Sequence, residues 1–117
     1  MLIATSEGQG WRYEVVDRAE GYLVVPRDLD TGAVEPEGGM LFRTAPVAFA
    51  FADLSAAFDR LASARMAGED TDELSDELAR ERVLYAALSR RLGDEGLLER
   101  LLSDWTTSAE TDKPRYH

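Results

Sequence analysis

The sequence predicts an α+β domain, with an antiparallel sheet of three or four strands followed by a helical hairpin and a third helix packed on it. Three observations lead there. Period-two alternation is confined to the first 45 residues. The links between the alternating runs are too short for the crossovers that parallel strands need. From residue 46 onward the apolar residues recur at helical spacing instead. A chain of 117 residues fits one such domain, and at this size folding buries enough surface to need no covalent staples. The division expected is a β meander over 1–45, helices over 46–106 and a polar, frayed tail over 107–117.

The strands follow in order. "LIATS", residues 2–6, is a candidate edge strand. In "WRYEVV" the large side chains of Trp11, Tyr13 and Val15 alternate with Arg12, Glu14 and Val16. Gly21 supplies the flexible position before the next run, "YLVVPR" over 22–27. Pro26 cannot donate a ladder hydrogen bond, so that strand is expected to end there or to lie at an edge. A short strand, "GMLFR" over 39–43, places Met40 and Phe42 on one face.

Between the second run and this last strand lies "LDTGAV", residues 29–34. Asp30, Thr31, Gly32 and Ala33 resemble the catalytic loop of the retroviral-type aspartic proteases. That loop should directly follow an apolar strand and lead into a β-rich barrel. Here Arg27 and Asp28 stand just before Leu29, and helices follow. The segment is therefore read as a wide turn built from Asx and glycine residues. A calcium-loop reading fails as well, because its defining glycine and glutamate positions fall on Ala33 and Gly39.

Val47, Phe51, Leu54, Phe58 and Leu61 follow a 4-3-4-3 spacing, which predicts a helix over 45–66 with Thr44 at its N-cap and Pro46 in its first turn. On that stripe Phe51, Leu54 and Phe58 are core, and cutting Phe58 back to alanine should cost about 3–5 kcal/mol. Phe49 falls off the stripe, either under a neighbouring loop or as an apolar contact for a partner. Gly68 breaks the chain. Asp70, with Glu73 three residues on, makes a capping-box pattern for a second helix over 70–92. Leu74, Leu78, Tyr85, Leu88 and Leu92 share its apolar face, with Glu81 in the middle, and Gly93 ends it. The third helix, "DEGLLERLLSDW" over 94–105, turns Leu97, Leu98, Leu101, Leu102 and Trp105 inward.

Charge and composition bound the function. Thirteen basic and 23 acidic residues give a net charge of −10, with no cysteine and one histidine. Such a chain is repelled by phosphates and anionic membranes and attracted to basic protein surfaces. Direct nucleic-acid binding and membrane association are not expected. The absence of cysteine, of a basic amino-terminal segment and of a long apolar run places the chain in the cytoplasm. His117 sits at a frayed end where a general base cannot be held in place. No phosphate-binding glycine motif, nucleophile pairing or metal-ligand spacing is present, so no cofactor, metal or catalytic residue is assigned.

Seven acidic residues lie between Glu69 and Glu81. Capping and the helix dipole account for their positions. They also form the candidate partner-binding set Asp72, Glu73, Asp76 and Glu77, extended by the loop acids Asp30, Glu35 and Glu37. The expectation is a non-catalytic, acidic module that docks on a basic, nucleic-acid-handling protein as an inhibitor. Small inhibitors carried by phages and mobile elements, anti-CRISPR proteins among them, share this short, acidic, cysteine-free profile. Two alternatives stand beside it. One is an adaptor or subunit using apolar contacts such as Phe49 or Trp105. The other is a small enzyme using carboxylates such as Glu81 or Asp30. The terminal "KPRYH" is a generic tail.

Overall fold

The computed structural model of the protein describes residues 1–35 and 38–96. Four strands, β1 (Leu2–Glu7), β2 (Trp11–Arg18), β3 (Gly21–Asp28) and β4 (Met40–Phe42), precede two helices, α1 (Ala45–Met66) and α2 (Asp72–Leu92). The strands form one antiparallel sheet in the order β1-β2-β3-β4. Residues 94–96 are not helical. The rest of the expected third helix and the tail over 107–117 lie outside the described residues.

Chain order equals sheet order because every link is a local return. Arg18 pairs with Gly21 at the tightest of them. Gly21 holds φ 148°, and a Cβ there would run into the carbonyl oxygen of Phe42, so this position takes glycine for two reasons. Pro26 corrects an expectation. β3 continues through it to Asp28, paired across to β2 as Tyr13↔Pro26. The carbonyl of Pro26 accepts the amide of Glu35 at 2.9 Å. Its nitrogen therefore faces the loop side, beyond the end of β4, where no ladder donor is needed.

Alternation sorts the strand residues onto two faces. Val15, Val24 and Phe42 pack with Val47, Ala48 and Ala52 of α1, with Tyr13, Tyr22, Met40, Phe51, Tyr85 and Leu88 around them. Phe42, Phe51 and Tyr85 form an aromatic cluster, with ring centroids 5.1, 5.6 and 6.4 Å apart. The opposite face carries a second cluster of Leu23, Val25 and Leu41.

Six of the eight buried residues of α1 are alanines, which lets the helix lie close to the sheet and to α2. The stripe predicted from the large residues is therefore only partly the buried one. Val47 and Leu61 are buried, and Phe51 and Leu54 are half-buried. Phe58 is 56% exposed, so the core role and large truncation cost expected of it do not hold. On its sheet side α1 meets the strands through Val47, Ala48 and Ala52, whereas Phe58 lies a turn and a half beyond them. Leu92, at the last turn of α2, is exposed as well, whereas Leu78 on the same face is buried.

The start of α2 also differs from the expected capping box. Thr71 is the N-cap, with no side-chain cap bond. The Asp70 carboxylate accepts the amide of Asp72 at 3.1 Å instead, a turn that comes before the helix. The other end is as expected, with Gly93 left-handed at φ 64°.

Candidate functional site

Two carboxylates reach across roughly half the chain to set the helices on the sheet. Asp59, on α1, accepts the amides of Gln9, Gly10 and Trp11 at 2.7, 2.9 and 3.1 Å. Three successive N–H groups converging on one oxygen make a nest for an anion. The β1–β2 link must come very close to do this, since a Cβ on Gly8 would collide with the Asp59 side chain. The "GQG" at 8–10, which carries no phosphate-binding context, is thus an internal carboxylate cradle. Nearby, Ser6 donates to Asp53, and Arg60 donates to the Glu7 carbonyl at 2.6 Å. Asp94, 2% exposed, accepts both the amide and the hydroxyl of Thr44, at 2.7 and 2.9 Å, and so closes the start of α1 against the end of α2.

The Asp59 cradle fixes Trp11, and with it part of the floor of a groove of about 760 Å³. Trp11 and Tyr13 of β2 and Pro26 of β3 form its floor. Leu54 and Phe58 of α1 and Leu78 and Arg82 of α2 rise on the helix side, with Glu35 on the loop side. Partial burial, and then the charge of Asp59, raise the Tyr13 hydroxyl above its ordinary pKa, so it stays a neutral hydrogen-bonding group at physiological pH.

The predicted acidic set is divided by the structure. Asp72, Glu73 and Asp76 are exposed on the first turns of α2. Among the described residues they take part in no ion pair. Glu77 is partly withdrawn from that surface, paired with Arg60 at 3.0 Å. Glu73, Asp76 and Glu77 line a shallow polar hollow with Leu74 and Arg80. Glu35 belongs to the apolar groove instead. Asp30 is exposed in the turn after β3, where Asp28 accepts the amides of Asp30 and Thr31 and Gly32 sits at φ 77°. Glu37 lies outside the described residues. The acids thus occupy separate patches, with α2 carrying the main one.

Glu81 lies at the α1–α2 junction, where one of its carboxylate oxygens is buried without a partner. Burial first, then the charges of Asp53 and Glu77, raise its pKa, while Arg60 and Arg80 pull the other way. Asp30 is not among the groups that perturb it. A raised folded-state pKa means the fold disfavours the ionised form. The resulting loss of stability sets in as pH rises from the ordinary carboxylate value through the raised one, and it is relieved below that window. Glu81→Gln should therefore raise the melting temperature at pH 7 and flatten its decline across that window. A variant that melts lower than wild type at pH 7 would show that ionised Glu81 stabilises the junction.

Among the described residues no cluster of His, Cys, Asp and Glu is arranged to hold a metal ion, and no helix is long and apolar enough to cross a membrane. The groove and the two carboxylate clasps left no local signal in the sequence beyond the two glycines of "GQG", because each joins residues about 50 positions apart. Compared with protein-family models, with curated proteins and with solved structures, the chain shows no significant match to any of them.

Proposed function

We propose that this protein is a non-catalytic protein-binding module that docks on a basic surface of a nucleic-acid-handling protein in the cytoplasm and inhibits it, as small phage and mobile-element inhibitors do. The observation that carries this reading is the unequal use of charge. Arg12, Arg18, Arg27 and Arg60 are spent on internal ion pairs with Glu7, Glu14, Glu20 and Glu77. The exposed carboxylates of Asp72, Glu73 and Asp76 are left facing solvent in a chain of net charge −10. Such a surface steers a basic partner and repels polyanions, so the nucleic acid itself is not the ligand.

A second reading, an adaptor or subunit held by apolar contact, is favoured by the groove with its exposed Phe58. Bound proteins identified after capture on the immobilised chain supply the partner for a test of both. Reversing Glu73 and Asp76 to lysine spares the Arg60–Glu77 pair. It should slow association about tenfold at low salt and flatten the salt dependence. Phe58→Ala should then change mainly the dissociation rate, by less than threefold. Association indifferent to both the charge reversal and added salt would reject the electrostatic reading. A collapse of affinity in Phe58→Ala alone would install the adaptor in its place.

A further inference from the structure

The outer face of α2 carries an apolar patch that the core does not use. Leu74, Leu78, Tyr85 and Leu88 turn toward α1 and the sheet. Val83 lies on the opposite side of the helix from them. It is 70% exposed, and Leu84 beside it is 46% exposed. Single exposed apolar residues are ordinary, but these two adjoin. Together with Ala79, Arg80 and Ala87 they line one hollow of about 470 Å³. Arg80, Val83, Leu84 and Ala87 stand at i, i+3, i+4 and i+7. Those are the four corners of the hole that receives a side chain when two helices pack knobs into holes.

Charge is sorted along the same face. Glu73 and Asp76 precede the hollow, and Arg90 and Arg91 follow it. All four are exposed. Among the described residues none of them takes part in an ion pair. The helix dipole accounts for acids at the start and arginines at the end of one helix. It does not account for two large apolar side chains left in solvent between them.

We propose that this face binds a second copy of itself, α2 against α2 in antiparallel order, about a twofold axis between Val83 and Leu84. Charge complementarity selects that occupant. Turning one copy end for end sets Val83 opposite the partner's Leu84 and Asp76 opposite the partner's Arg91. Glu73 lies about one turn from the same arginine. The twofold axis makes each of these pairs twice. A parallel pairing would set Asp76 against Asp76 and Arg91 against Arg91. A uniformly basic helix would be repelled at Arg90 and Arg91, and a uniformly acidic one at Glu73 and Asp76. The contact from 73 to 91 runs about 27 Å at 1.5 Å per residue. One helix pair of that length is a small interface, and the net charge of −10 on each copy opposes it. The dimer is therefore a weak one, forming at about 100 μM and dissociating by about 1 μM. It does not rest on the proposed function, and it is measured on the purified chain with no other protein present.

Sedimentation equilibrium on the full chain tests this. Wild type should pass from monomer to dimer as its concentration rises. Val83→Asp should weaken the dimer by about tenfold or more, because it places two charges at the centre of the contact. Asp76→Arg and Arg91→Asp should each weaken it by about tenfold, since each sets like charges opposite one another twice. All three positions are exposed, so the variants should melt as wild type does. The decisive sample is an equimolar mixture of Asp76→Arg with Arg91→Asp. There both ion pairs are restored with their signs exchanged, and the dimer should return as a heterodimer of the two variants. A chain that stays monomeric up to about 500 μM would overturn the proposal, since that is well above the concentration at which a specific interface of even modest size is occupied. So would a dimer indifferent to Val83→Asp, which would place the contact elsewhere. A tighter dimer in Asp76→Arg would mean parallel helices, and a mixture that fails to recover would reject the antiparallel pairing.

Discussion

Phe42→Ala is expected to destabilise the protein by about 3–5 kcal/mol, the usual cost of deleting a fully buried phenylalanine. A small domain holds only about 5–15 kcal/mol in all, so a large share of the molecules would unfold on mild heating. Phe42 is wholly buried on β4 and touches both helices through Phe51 and Tyr85. The cavity would open where the sheet, α1 and α2 meet, with alanines lining α1 and little freedom to collapse inward. Equilibrium denaturation by urea measures the loss. Phe49→Ala is the matched control, because Phe49 is an exposed phenylalanine on α1 and should cost under about 1 kcal/mol. Equal losses in the two variants would mean that the aromatic cluster is not the centre of the core.

Asp94→Ala should cost about 2–4 kcal/mol, because it removes a buried carboxylate that accepts from the Thr44 amide and hydroxyl and from the Gly96 amide. Hydrogen bonds to a charged acceptor count for more than neutral ones, and this one also sits at the positive end of the α1 dipole. Asp94→Asn keeps one acceptor oxygen and should lose about half as much. A double-mutant cycle with Thr44→Val isolates the hydroxyl contact at 2.9 Å, and a coupling of about 1 kcal/mol is expected. Additive losses would show that the carboxylate acts only through the backbone amides of Thr44 and Gly96.

The contrast between Phe42 and Asp94 shows what the sequence reveals and what it does not. Phe42 was legible. It alternates with Leu41 in a short strand, and period-two patterning says which neighbours share its face. The meander, both helices and the turn at Asp30 were legible for the same reason, since each is specified by residues a few positions apart. Phe58 is not legible in this way, because helical spacing marks an apolar stripe without saying how far along it the core extends. The alanines that bring α1 close to the sheet carry little pattern of their own. Asp59 and Asp94 stand in the sequence as two acids among 23. Their roles come from amides about 50 residues away, and no local signal marks a carboxylate that will meet them. The acidic start of α2 was visible, but the withdrawal of Glu77 into a pair with Arg60 was not.

The equality of chain order and sheet order bears on how the molecule assembles. All pairing within the sheet is between sequence neighbours, so β1 to β4 can zip as successive hairpins on a microsecond scale. Nothing then covers the inner face until α1 swings back over β1 and β2, closing loops of 47 to 53 residues at Ser6–Asp53, Gly10–Asp59 and Glu7–Arg60. Loop closure of that length is the entropic bottleneck, and it is met by a single helix arriving as a unit. During synthesis the meander would therefore leave the ribosome as an unfinished ribbon with an apolar inner face. It becomes a committed fold only after residue 66 has emerged, and the Asp94 clasp comes later still.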